Sequence, residues 1–182
     1  MSSSPSNGSI DWSAELVTGL GRTKSEQLAR EVAARWNTEL PALLELVTSS
    51  HPALGKKAAW VIRYLSFEAP EVLLPYVPRL ITALPHLEYD SAQRDVLKAI
   101  SVIGYPEEYT GQLADMCMGF LVVPGKAVAV KYLSMQLLEH ICEQWPELKR
   151  EFLMCLQETM PHETKAFQHH ARRHLKKAGL AD

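Results

Sequence analysis

The apolar residues of this chain recur with the period of an α-helix from near its start to its end. Val96, Ile100 and Ile103 show the pattern clearly, since side chains three and four positions apart share one helix face. No segment sustains the strict alternation of apolar and polar residues that a half-buried strand requires. The hydrophobic pattern therefore predicts an all-α protein.

Prolines and glycines separate the helical segments. Pro70 and Gly104 end two of them, because proline disfavours helix in the residue before it and glycine suits the turn after a helix. Pro75 and Pro78 fall within one apolar run, which predicts a bent or two-part helix there. Taken in pairs, the segments predict about four helical hairpins, at residues 38–66, 70–104, 106–144 and 146–179.

A shorter region precedes the first hairpin. Asp11 or Ser9 can cap a short helix, and Thr23 and Glu26 have the spacing of a capping box at the start of a second helix. Residues 1–9 consist mainly of Ser, Pro, Asn and Gly, so the sequence predicts a disordered lead. The remaining residues, 10–182, are predicted to form a single domain of hairpins with an N-terminal helical cap.

A repeat of fixed length connects the hairpins. Lys57, Arg94 and Lys131 follow one another at intervals of 37 residues, and an apolar stretch begins after each. A fixed period in this range is typical of a solenoid, in which hairpins too small to bury their own apolar faces stack and share one core. The series breaks at the next step, where Gln168 stands.

The segment that begins at Asp90 resembles the turn and second helix of a HEAT repeat. Such repeats place an Asp in the turn and an Arg early in the second helix, as Asp90 and Arg94 are placed here. The run 73–80, with its leucines and prolines, resembles a first helix of the same family. The resemblance implies a right-handed α-α superhelix whose second helices line a concave surface. We also expect an Arg94 to Asp90 contact, and a helix cap at Asp90 or Ser91.

Charge is distributed unevenly, although the net charge is only −2. The four predicted second helices carry twelve lysines and arginines against four acidic residues, a net +8, and the rest of the chain carries a net −10. If these helices line the concave surface that the resemblance implies, that surface would attract an anionic partner. The residues predicted to contact the partner are Lys56, Arg63, Arg94, Lys98, Lys131, Arg172 and Lys176.

A competing interpretation assigns the same charges a structural role. The basic side chains would then form a solvated face, with Lys57, Arg94 and Lys131 bonding carboxylates or carbonyl groups of neighbouring hairpins. The sequence alone leaves both interpretations open.

No catalytic, cofactor-binding or paired-cysteine motif is visible. His170 and His174 share a helix face, as two metal ligands would, but no third ligand accompanies them, so the sequence favours a basic surface helix instead. Trp60, Tyr64 and Asp95 lie beside the basic residues, a combination suited to handling nucleobases, although the sequence favours a place in the core for Trp60. Alkylpurine DNA glycosylases built of HEAT-like repeats use such a surface. The cysteines, which form no close pair and are expected to be buried, are Cys117, Cys142 and Cys155.

The sequence therefore predicts a non-enzymatic binding or scaffold protein, with no cofactor or metal, that holds a protein or peptide partner, in particular an acidic one, on a concave surface. The alternative is a nucleic-acid-binding protein, related to the alkylpurine DNA glycosylases. No segment has the composition of a signal peptide or a membrane span, so we expect a cytoplasmic protein.

Overall fold

The computed structural model describes residues 9–180, and in this range it contains helices and turns but no strand. The prediction of an all-α protein is thus confirmed. The predicted disordered lead, residues 1–9, lies outside the described residues except for Ser9. In the same part of the chain, no helix is long and apolar enough to cross a membrane.

The described residues form eleven α-helices. Short 3-10 turns at Leu74–Tyr76, Leu84–His86, Glu107–Tyr109, Pro146–Leu148 and Met160–His162 join or extend them. The α-helices are α1 (Trp12–Val17), α2 (Arg22–Ala34), α3 (Trp36–Val47), α4 (Pro52–Glu68), α5 (Pro70–Leu73), α6 (Val77–Ala83), α7 (Asp90–Ile103), α8 (Thr110–Val122), α9 (Val128–Gln144), α10 (Lys149–Thr159) and α11 (Lys165–Lys177).

The helices stack in two layers that share one buried core. Helices α4, α7, α9 and α11 pack side by side in chain order and form what we call the second-helix layer. Helices α3, α5, α6, α8 and α10 pack against them and form the first-helix layer. Apolar residues of both layers, such as Leu43, Ile62, Leu97 and Leu113, are fully buried and belong to one cluster. The arrangement is an α-α superhelix, as expected.

Proline and glycine act as the sequence predicts. The two-part helix is confirmed, because α5 and α6 are separated by the 3-10 turn that contains Pro75. Gly104 ends α7 with a φ of 87°, and Gly125 turns the chain between α8 and α9 with a φ of 74°. Residues with a Cβ atom rarely adopt this left-handed region, so both positions require glycine.

The predicted helix caps are confirmed at only one position. The Asp11 side chain accepts a hydrogen bond from the Ala14 N–H at 3.1 Å and caps α1. The predicted capping box is wrong, because α2 begins earlier, at Arg22, and Glu26 pairs with that residue instead. The cap predicted at Asp90 or Ser91 is also wrong, since Asp90 is the first residue of α7 and its carboxylate bonds elsewhere.

Two members of the 37-residue series, Lys57 and Lys131, make contacts outside their own hairpins. The Lys57 ammonium donates to the Leu16 carbonyl at 2.6 Å, and the Lys131 ammonium donates to the Leu121 carbonyl at 2.8 Å and to the Glu163 carboxylate. The structural interpretation of these two lysines is therefore confirmed. Both lie at the same place in their hairpins, where a buried backbone carbonyl needs a donor.

The expected Arg94 to Asp90 contact is wrong. Arg94 forms two hydrogen bonds of 3.0 Å with Asp95, its neighbour on α7. Asp90 instead reaches into the next hairpin, where it accepts hydrogen bonds from the Lys126 ammonium at 2.8 Å and the Ala127 N–H at 2.7 Å. The acidic residue of the motif thus joins two hairpins, while the basic residue faces the surface of the second-helix layer.

Two glycines provide a matched test of helix packing. A Cβ atom at Gly55 would lie 3.0 Å from the carbonyl oxygens of Leu46 and Val47, whereas one at Gly119 would meet nothing within 4 Å. We expect Gly55→Val to lower the free energy of unfolding by about 2 kcal/mol, because α3 and α4 must separate. As the control, Gly119→Ala should raise it by about 0.5–1 kcal/mol through its lower backbone entropy. Urea unfolding measures both, and equal shifts in one direction would contradict the packing described.

Candidate partner-binding surface

Three cationic side chains converge on α4 and α7. The Asp95 carboxylate, which is only 2% exposed, accepts hydrogen bonds from Arg94 and from the Arg63 guanidinium at 3.3 Å. Lys98 lies one helical turn beyond Arg94 and makes no ion pair within residues 9–180. Two guanidinium groups therefore share a single carboxylate, and the Lys98 ammonium lies on the same helix without an ion pair among the described residues.

Aromatic rings on α4 lie among these cations. The rings of Trp60 and Tyr64 are 6.4 Å apart, and the Arg63 guanidinium lies 5.7 Å from the centre of the Tyr64 ring. The Lys98 ammonium lies 5.8 Å from the centre of the Phe67 ring, which is 53% exposed. We call this area the arginine-aromatic surface. Its residues are Trp60, Arg63, Tyr64, Phe67, Arg94 and Lys98.

The position of Trp60 differs from the one expected from the sequence. The sequence favoured a place in the core, and this expectation is wrong, because the Trp60 side chain is only half-buried and lies outside the buried cluster. The spacing of Trp60, Tyr64 and Phe67 places all three on one face of α4, because each follows the last by about one turn. Cations and rings arranged in this way bind through charge and flat apolar area together.

Burial governs the electrostatics of Asp95. Loss of water raises the pKa of its carboxyl group, and the charges of Arg94 and Arg63 oppose that effect only in part. The Nε atom of Arg63 is buried and has no hydrogen-bond partner within the described residues. Asp95 thus holds both guanidinium groups in place without satisfying all of their donors.

The structure divides the predicted set of contact residues. Arg63, Arg94 and Lys98 lie together, whereas Arg172 and Lys176 lie exposed on α11, which packs against the far side of α9. The only lysine or arginine of α9 is Lys131, and its side chain is 0% exposed. The basic face is therefore interrupted at α9, and Lys131 is corrected from a contact residue to a buried structural one.

Lys56, the remaining member of the set, lies at the edge of another cavity. Its ammonium lies 4.7 Å from the centre of the Tyr89 ring. Both residues line a groove of about 580 Å³ between the turns that precede α4 and α7. Arg79 and Tyr109 also line this groove, and its surface is more apolar than polar. Sequence reasoning missed the groove, because residues from three hairpins build it.

Sequence reasoning also missed Arg30, a basic residue on the N-terminal helix α2. Arg30 of α2 is exposed and lines a cleft of about 440 Å³ with Arg63, Tyr64 and Phe67 of α4. The cleft thereby extends the arginine-aromatic surface toward α2. The cleft is also lined by the Arg22–Glu26 ion pair and by the exposed Glu68, so its cations face two carboxylates. From the sequence, α2 was expected to serve as part of the N-terminal cap. The basic residue Arg30 on its outer face was the only signal in the sequence that could have indicated a role of α2 in binding.

The histidines are placed against aromatic rings. The His170 ring lies 4.3 Å from that of Tyr132, and burial is the main cause that lowers the pKa of His170. The Nδ1 atom of His174 lies 3.6 Å from Glu139, and its ring contacts Phe152. Across residues 9–180 no three histidine, cysteine or acidic side chains are grouped as metal ligands would be.

The cysteines are free thiols in the described part of the chain. Cys117 and Cys142 are buried as expected, and burial raises the pKa of Cys117 to about 12. Such a thiol stays protonated at neutral pH and is a poor nucleophile. Cys155 is partly exposed, in contrast to the expectation.

Stacked antiparallel helix pairs with a shared core define a helical-repeat protein of the α-α superhelix class. The particular family follows from comparison with known proteins. The family model of the HEAT repeat domain matches residues 12–178, and the chain belongs to that family. No curated protein and no solved structure shows significant similarity to the chain.

Proposed function

We propose that this protein is a non-enzymatic binding or scaffold protein that holds an acidic segment of a protein partner on the arginine-aromatic surface. HEAT repeats form extended surfaces suited to holding other chains, and the second helices face the concave side in such folds. A cytoplasmic location, expected from the sequence, is part of this proposal.

The imbalance of charge around Asp95 carries the proposal. Arg63 and Arg94 share one buried carboxylate, and Lys98, which lies beside the Phe67 ring, forms no ion pair within residues 9–180. Each guanidinium is about one-third exposed, so its free donors can reach a partner. Because Asp95 fixes both groups before binding, little side-chain entropy is lost when a carboxylate of the partner is bound.

The neighbouring aromatic rings add an apolar contribution. Phe67 and Trp60 offer flat area beside the cations, which suits an acidic segment that also carries apolar side chains. The groove beside Lys56 provides a second place for such a side chain, with Arg79 at its margin. An acidic amphipathic segment would satisfy both features.

A nucleic-acid-binding function is the second candidate, because nucleobases stack on exposed aromatic rings and phosphates pair with cations. The position of Asp95 weighs against the glycosylase form of this candidate. Its carboxylate is 2% exposed and is engaged by two guanidinium groups. It is therefore not free to assist the chemistry of an extruded base.

Fluorescence anisotropy with two labelled probes tests the proposal. The first probe is a peptide of alternating glutamates and leucines, and the second is a short DNA duplex of the same total charge. We expect the peptide to bind, and Lys98→Glu to weaken its binding about tenfold, the effect of losing about 1.4 kcal/mol. Arg94→Gln should also weaken peptide binding. Duplex binding that is tighter and falls steeply with salt would favour the nucleic-acid candidate instead.

Lys149→Glu is the matched control for Lys98→Glu. Lys149 is exposed at the start of α10 in the first-helix layer, and it forms no ion pair within residues 9–180. Both variants change the net charge equally, so general electrostatic attraction would affect them alike. Equal loss of peptide binding in the two variants would therefore overturn the assignment to the arginine-aromatic surface.

A further inference from the structure

An apolar groove crosses the opposite layer of the molecule. It lies between α8 and α10, has a volume of about 590 Å³, and is lined by two methionines and their neighbours. Val122 is 54% exposed and Met154 is 46% exposed, which is unusual for large apolar side chains. We call it the methionine groove. Its apolar lining is Met118, Val122, Met154 and Cys155.

Gly119 forms part of the same groove. It lies within α8, and a Cβ atom there would meet no other atom within 4 Å. Packing within this chain therefore does not require glycine, although glycine weakens a helix. A glycine on an exposed helix face allows the backbone of another helix to approach closely.

The margin of the groove is acidic. Glu147, Glu151 and Glu158 line it with a single basic residue, Arg150. All four side chains are exposed, and none forms an ion pair within residues 9–180. An occupant with positive charges beside its apolar contacts would be complementary to this margin.

We propose that the methionine groove binds an amphipathic helix of a partner protein, with an apolar stripe and flanking lysines or arginines. A helix laid in a groove places apolar side chains at intervals of three and four residues, and methionines adapt to their shapes. The acidic margin excludes nucleic acid from this groove.

Within residues 9–180, the strongly basic helix α11 of a second copy does not offer a free apolar stripe. This helix buries its apolar side chains Phe167, Ala171 and Leu175 in the core of its own chain. The inference concerns the first-helix layer, and it is therefore independent of the proposal for the arginine-aromatic surface.

A pair of labelled peptides of about five helical turns tests this inference by fluorescence anisotropy. Both carry leucines every three or four positions, and the flanking positions are lysines in one and glutamates in the other. Because a glutamate peptide is also a candidate occupant of the arginine-aromatic surface, both peptides are measured on the Arg94→Gln/Lys98→Glu variant, which weakens that surface and leaves the groove intact. We expect the lysine peptide to bind this variant at least about tenfold more tightly than the glutamate peptide. Equal binding of the two peptides would overturn the inference.

Variants locate the binding on the groove. Met154→Gln and Gly119→Gln should each weaken binding of the lysine peptide about tenfold, by removing apolar contact and by blocking close approach. Gly119→Gln should at the same time raise the midpoint of thermal unfolding, so weaker binding would not reflect unfolding. Gly111→Gln is the control, since Gly111 lies on α8 outside the groove with open space around it, and binding should stay unchanged.

Two other results would overturn the inference. One is lysine-peptide binding that is the same in the wild type and in the Met154 and Gly119 variants, since the peptide would then bind elsewhere. The other is a dimer of the wild type in sedimentation velocity that Met154→Gln dissociates, since a second copy would then occupy the groove.

Discussion

Lys131→Glu is expected to unfold the protein or to lower its free energy of unfolding by about 3–5 kcal/mol, the usual effect of breaking a buried ion pair. The Lys131 side chain is fully buried, and its ammonium binds Glu163 and the Leu121 carbonyl. Glutamate would place two carboxylates together and leave the carbonyl without a donor. Because folded domains are stable by only about 5–15 kcal/mol, this is a large fraction of the total.

Urea unfolding followed by circular dichroism measures this effect. Lys98→Glu is the matched control, because Lys98 is partly exposed on α7 and its change should shift the free energy of unfolding by less than about 1 kcal/mol. The double variant Lys131→Met/Glu163→Gln should recover most of the lost stability, since no charge stays unpaired. A Lys131→Glu protein as stable as the wild type would contradict the buried ion pair.

Asp90→Ala is expected to lower the free energy of unfolding by about 2 kcal/mol at neutral pH. The change removes the hydrogen bonds from Lys126 and from the Ala127 N–H, and thus the link between two hairpins. Burial by itself would raise the pKa of Asp90, but these two hydrogen bonds and the charge of Lys126 together lower it.

The lowered pKa of Asp90 determines the pH range in which the stability difference between the wild type and Asp90→Ala disappears. As the pH falls below about 4, the unfolded chain takes up the proton before the folded protein does, so the contribution of Asp90 is lost. The stability difference between the wild type and Asp90→Ala should therefore be constant above about pH 5 and shrink toward pH 2. Asp95, whose pKa shifts in the opposite direction, is present in both proteins and cancels in the comparison.

Asp115→Ala provides the control for the acid series. Asp115 is exposed on α8 and makes no hydrogen bond or ion pair within residues 9–180, so its loss should change stability by less than about 0.5 kcal/mol at any pH. Denaturant midpoints between pH 2 and 7 would compare the three proteins. A pH-independent difference for Asp90→Ala would contradict a role for the charged carboxylate.

Most of the fold could be predicted from local signals. Pro70 and Gly104 marked helix ends correctly, and Pro75 marked the break between α5 and α6, because proline and glycine constrain the backbone wherever they stand. The capping box at Thr23 and Glu26 failed for the opposite reason. Side-chain caps compete with other partners, and Glu26 found Arg22 on the same helix.

The candidate site was predictable only in part. The sequence placed Arg63, Arg94 and Lys98 on second helices, but nothing in it showed that Asp95 would hold two of them in place. Lys131 occupies the same position in its hairpin as Arg94, yet one is buried and the other is partly exposed. The repeat period does not determine how deeply the side chain at each equivalent position is buried.

The sequence by itself determined that the chain is helical, where its helices end, and that they pair with a period of 37 residues, because these depend on hydrophobic spacing and backbone constraints within a few turns. Only the tertiary structure decided which charges are free. Whether a charged side chain is free to contact a partner depends on residues more than 30 positions away, such as Arg63 for Asp95 and Glu163 for Lys131. Stacking of the hairpins brings those residues together.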